Sequence, residues 1–140
     1  MMMKVKIITN NALVREAYQV KADITYTDCN YLEVLTAARD MIHQGFKLLN
    51  HPLAGSVKPN ETPFRTLLLE FGQELDLLSL EIIENSIMTY LKFSANRNTP
   101  LWDEKILGDF RFVDLSLFKS ALQSLKQKID FLDDEEEQIC

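Results

Sequence analysis

Four short aliphatic runs, separated by segments with helix start and stop signals, restrict this chain more than any other feature. They are VKIIT (Val5–Thr9), ADITYTD (Ala22–Asp28), FKLLN (46–50) and FRTLLLEF (Phe64–Phe71). Each has the length and composition of a strand and is bounded by Asn, Asp or Gly. Between the first two lies NALVREAYQ, enough for about two helical turns. Between the second and third, Asn30 and Glu33 have capping-box spacing, and Leu32, Leu35, Ala38 and Ile42 form one stripe before Gly45 supplies a stop. Further on, Asp76 or Ser79 can cap a helix with the stripe Leu80, Ile83, Ile87 and Leu91, which Pro100 forbids from continuing. LWDEKILGDF reads as a short helical piece anchored by Trp102. Asp114 reads as the cap of a last helix turning Leu115, Phe118, Leu122, Leu125 and Ile129 inward.

The order β-α-β-α-β-β-α-α predicts an α/β fold: a small mixed, mainly parallel four-stranded sheet flanked by helices, with a helical C-terminal half. The first strand is expected at the centre, with the second and third parallel on either side of it. The fourth, reached through a loop with no helix, is expected antiparallel at an edge. A chain of 140 residues suits one domain. We place it at residues 1–132, followed by an acidic tail, 133–140, expected to be disordered because like charges repel and the apolar pattern stops at Leu132.

Charge removes several function classes. The formal net charge is −6. The run DDEEE (Asp133–Glu137) supplies most of it and leaves the body near neutral, so no broad basic field favours nucleic acid. No apolar run approaches the roughly 18 residues of a membrane span. The opening MMMKVKIITN has no long apolar stretch and no small-residue cleavage site, so a cytoplasmic protein is expected. Cys29 and Cys140 form neither a CxxC pair nor a ligand cluster, which fits a reducing compartment without a disulfide. His43, His51 and Glu61 lie across a helix end, a strand and a loop, a poor ligand spacing, so neither metal nor cofactor is expected. The ENS triplet at Glu84–Ser86 reads as solvated helix surface.

The segment HPLAGSVKPNETP (His51–Pro63) concentrates what chemistry there is. It holds three of the four prolines, which fix φ at Pro52, Pro59 and Pro63 and lower the entropy cost of ordering. At the carboxyl edge of a sheet it would meet Asn10 and Asn11, which end the first strand, across a crevice between strands one and three. His51, Gly55, Ser56, Lys58, Asn60, Glu61 and Thr62, with Asn10 and Asn11, are donors and charges suited to a small carboxylate or phosphate. The same composition also fits an ordinary solvent loop. GSVK lacks the GxxxxGK[ST] spacing of a P-loop.

The fragments KIITNN, YLEVL, ARDMIHQGFKLLNHPLAGSVKPNETPF, IIENSI and DLSL, with Trp102 ahead of EKIL and DF, resemble the GrdX family from Lys4 to about Leu117. Ala54 and Phe64 stand where the family is associated with Ser and Tyr. The resemblance implies a cytosolic setting beside glycine, sarcosine and betaine reductases, in amino-acid fermentation, and it supplies no catalytic residue. Two functional readings follow. One is an accessory protein binding a small anionic metabolite or a reductase subunit through the His51–Pro63 loop. The other is a small enzyme acting on an amino acid or acyl phosphate, with His51 as acid or base and Lys58 and Asn10 steadying negative charge. A general base needs an orienting partner that no spacing here guarantees, which favours the first.

Overall fold

The computed structural model describes residues 4–53, 61–95 and 100–125. In chain order they form β1 (Val5–Thr9), α1 (Ala12–Tyr18), β2 (Asp23–Tyr26), α2 (Tyr31–His43), β3 (Lys47–Leu48), β4 (Thr66–Glu70), α3 (Leu77–Ser94) and α4 (Glu104–Leu125). The four strands make one sheet in the order β2-β1-β4-β3. Helices α1 and α4 cover one face, where Ile7 and Leu68 pack with Val14, Tyr18, Phe118 and Leu122. Helices α2 and α3 cover the other, where Ile8, Leu67 and Leu69 pack with Leu35, Ala38, Ile42 and Ile83. The alternation of the strands thus feeds two cores.

The α/β class, the mixed sheet and the helical C-terminal half are as expected, and β1, β2 and β3 share one direction, but two of the three pairings are antiparallel. β1 pairs parallel with β2, whereas β4 runs antiparallel to both β1 and β3. β4 is antiparallel as anticipated, yet it lies inside the sheet and pushes β3 to the edge. The reason is in its side chains. Leu67, Leu68 and Leu69 are consecutive and all fully buried, a pattern only a strand covered on both faces can satisfy.

β3 is correspondingly short. Its ladder is continued by the Asn50 side chain, which donates to the Thr66 carbonyl at 3.1 Å and accepts from the Leu68 N–H at 2.8 Å. On the outer side, the Leu48 N–H donates to Ser79 Oγ at 2.9 Å, so α3 caps that edge.

Local signals held at the helix starts. Asn30 and Glu33 form a reciprocal capping box on α2, and Asp76, not Ser79, caps α3. Gly45 ends α2 at φ 108°, a conformation that disfavours a side chain. On α3, Tyr90 completes the inner stripe and Leu91 faces outward.

The reading of the C-terminal part needs correction. LWDEKILGDF is not a separate piece, because α4 runs unbroken from Glu104 through Gly108 to Leu125. Asp103 caps it, its Oδ1 accepting from the Ile106 N–H at 2.9 Å. Asp114 lies mid-helix and is buried, its carboxylate committed across the sheet. Ile129 and the acidic tail, with Cys140, lie outside the described residues.

Candidate functional site

At the carboxyl end of β1 the sheet carries a layer of buried polar side chains, sorted by strand parity onto its two faces. Thr9 and Thr66 are directly opposed in the β1–β4 register and point toward α4. Thr66 Oγ1 donates to Asp114 Oδ2 at 2.7 Å, so the proton between the two hydroxyls, 2.7 Å apart, belongs to Thr9. The Asn11 N–H donates in turn to Thr9 Oγ1 at 3.0 Å. The Asn11 side chain caps α1 by accepting from the Leu13 N–H, and its Nδ2 donates to Asp114 Oδ2 at 3.0 Å and to the Arg111 carbonyl at 2.8 Å. A continuous chain of donors therefore ends on one carboxylate and ties β1, β4, α1 and α4 together.

The neighbouring residues do the same on the α2 side. Asn10 Nδ2 donates to the Cys29 and Pro63 carbonyls, both at 2.9 Å, while its Oδ1 accepts from the Arg65 N–H at 2.9 Å. Arg65 is buried and its Nε donates to the Tyr31 hydroxyl, which itself donates to the Pro52 carbonyl at 2.6 Å. By parity Arg65 falls on the α2 face with Leu67 and Leu69, and it also borders the hollow that Asp114 lines. The crevice anticipated between strands one and three is thus occupied by the start of β4.

These bonds fix both ends of the proline-rich segment. Pro52 is held by Tyr31, Pro63 by Asn10, and the Glu61 carbonyl accepts from Trp102 Nε1 at 3.0 Å. Trp102 is half-buried against the Phe110 ring, so it anchors the loop as well as α4. Thr62 borders a hollow of about 140 Å³ with Phe64, Phe110, Val113 and Asp114. Gly55, Ser56, Lys58 and Asn60 lie outside the described residues.

His51 stands apart from this layer. It is exposed, and its Nδ1 accepts from the Leu53 N–H at 3.0 Å, closing a turn of its own. It opens onto a shallow hollow of about 180 Å³ with Leu53, Ile82, Asn85, Ser86 and Thr89, on the α3 side. An acceptor at Nδ1 leaves the neutral ring's proton on Nε2, a donor that suits an anion. Asn85 and Ser86 belong to the triplet read as solvated surface. Ser86 is in fact buried, its hydroxyl donating to the Ile82 carbonyl at 2.7 Å.

Among the described residues, Cys29 and Asp76 are displaced from their ordinary ranges. Burial, with the carboxylates of Glu33 and Asp28 behind it, pushes the Cys29 thiol up and makes it a poor nucleophile. The Ser79 hydroxyl, followed by the Ser79 amide and Lys47, draws the Asp76 carboxyl down against partial burial. Among the described residues no group of three His, Cys, Asp or Glu side chains could hold a metal, and no helix is long and apolar enough to cross a membrane.

What sequence reasoning missed was the Thr9–Thr66–Asp114 chain. Its signal was an aspartate at a helix position whose neighbours one turn away, Phe110 and Phe118, are apolar. A family model described as GrdX-like protein matches residues 6–123. No curated protein and no solved structure matches the chain.

Proposed function

The chain belongs to the GrdX-like protein family, and from that premise we propose that it is a non-catalytic accessory protein of glycine, sarcosine and betaine reduction that binds a small carboxylate or phosphate through the His51–Pro63 segment. The link to glycine reductase rests on the family name. What supports a binding role is the anchoring of the loop: buried or half-buried side chains of Tyr31, Asn10 and Trp102 hold Pro52, Pro63 and Glu61 at the carboxyl edge of the sheet. In this reading Asn10 and Asn11 position the loop. His51 Nε2, Ser56, Lys58 and Asn60 meet the ligand, with Gly55 allowing close backbone approach, whereas Thr62 borders the separate hollow on the α4 side. Catalysis by His51 is the less favoured reading, because its Nδ1 is spent on the Leu53 amide and not on an orienting carboxylate.

Binding to the native state raises the melting temperature. A thermal-shift and calorimetric series with glycine, sarcosine, betaine, acetyl phosphate and inorganic phosphate therefore tests the proposal. One of the anionic members should bind, and His51→Ala and Lys58→Ala should each weaken it about tenfold. No binding by any of them, with a purified reductase subunit bound through the same segment, would move the reading to a protein partner. Turnover of acetyl phosphate abolished by His51→Ala would establish the enzyme instead.

A further inference from the structure

Helix α3 presents its inner side to α2 and leaves an outer side that its packing does not explain. Leu77, Glu81, Glu84, Met88 and Leu91 follow one another at spacings of four, three, four and three residues, the seam of a coiled coil. All five are exposed, with Leu77, Met88 and Leu91 at 71%, 67% and 48% of their accessible surface. Leu78, one position off the seam, is 63% exposed. Large apolar side chains exposed in line along one helix mark an interaction surface.

We propose that this seam docks an amphipathic helix of another protein, one with leucine-like residues at the ends of its own seam and lysine or arginine at the middle. The charge pattern selects this occupant. Glu81 and Glu84 sit between the apolar ends, and among the described residues only Glu84 is paired with a cation, Arg39 of α2 at 3.7 Å. Pairing with a second copy is disfavoured in either direction. An antiparallel twofold centred on the seam stacks Glu84 on its own mate and Glu81 on Met88. A parallel one stacks both glutamates on their mates. Like charges facing across a helix pair are repulsive, whereas basic residues there complete the seam and select the partner. The inference does not rest on the role of the His51–Pro63 segment.

The probe is a synthetic 18-residue helical peptide with leucine at the three outer seam positions and lysine at the two central ones, titrated by fluorescence anisotropy and by amide chemical shifts. Binding should move the α3 amides. Exchanging the central lysines for glutamate should weaken it at least tenfold, and Met88→Asp in the protein should abolish it. The double variant Glu81→Lys, Glu84→Lys should reverse the preference between the two peptides. Because these side chains are exposed, the variants should keep the native circular dichroism spectrum, and Leu77→Ser gives a second, milder check. Equal binding of both peptides, or shifts confined to another surface, would overturn the proposal. So would a dimer of the unmodified protein, seen by sedimentation, that Met88→Asp dissociates.

Discussion

Replacing Asp114 by alanine removes the acceptor on which two buried donors converge, the Thr66 hydroxyl and Asn11 Nδ2. Neither donor can turn to water, since Asn11, Thr66 and Asp114 are all buried. A buried polar group left unpaired costs about 1–3 kcal/mol; Asn11 Nδ2 keeps its bond to the Arg111 carbonyl, so the two donors together give roughly 2–4 kcal/mol. Alanine's better helix propensity returns about 0.5 kcal/mol. The net expectation is a loss of about 3 kcal/mol. Asp114→Asn keeps one carbonyl oxygen for Thr66 and should lose less, about 1–2 kcal/mol by the same reasoning. Asp109→Ala, exposed on the same helix, should stay within about 0.5 kcal/mol. Urea unfolding followed by circular dichroism and by the fluorescence of the single tryptophan, Trp102, measures all three, provided the two signals coincide. Combining Asp114→Ala with Thr66→Val should show a coupling of at least about 1 kcal/mol. If Asp114→Ala matches Asp109→Ala, or the coupling vanishes, the donor chain does not hold α4 to the sheet.

Asn10→Asp should destabilise more than Asn10→Ala at neutral pH, by equilibrium unfolding, because a carboxylate would face the Cys29 and Pro63 carbonyls where an amide now donates to them. Gly72→Ala should cost more than about 1 kcal/mol in the same assay, since an added Cβ would lie 2.5 Å from the Gly45 carbonyl oxygen. The depressed Asp76 carboxyl contributes stability above its unfolded-state pKa, and this is lost as pH falls through the lower folded-state value. Ser79→Ala should therefore flatten the acid side of the stability–pH curve. Cys29 in a Cys140→Ser background should react with a thiol reagent at pH 8 more slowly than the same chain in denaturant, and Glu33→Gln should speed it.

The sequence by itself determined the local elements. Asn30 with Glu33, Gly45, and the apolar stripes of α2 and α3 act within one or two turns, so their meaning survives without a partner. The same holds for the position of the proline-rich segment between the third and fourth strands, because chain order alone puts it there. Strand order did not follow, since the hydrogen-bonding edge of a strand is the same whichever neighbour fills it. The clue was the unbroken burial of Leu67, Leu68 and Leu69, which states how many faces are covered but not by what. The role of Asp114 was decided later still. An aspartate reads as a helix cap when only its own backbone is considered. Its real partners, Thr66 and Asn11, lie 48 and 103 positions away in the chain and meet it only after β4 has entered the sheet beside β1 and α4 has packed across both. Asn10 shows the same dependence: its amide suits a ligand in isolation, and the arrival of Pro63 and Arg65 beside it turns it into the clamp that holds the loop.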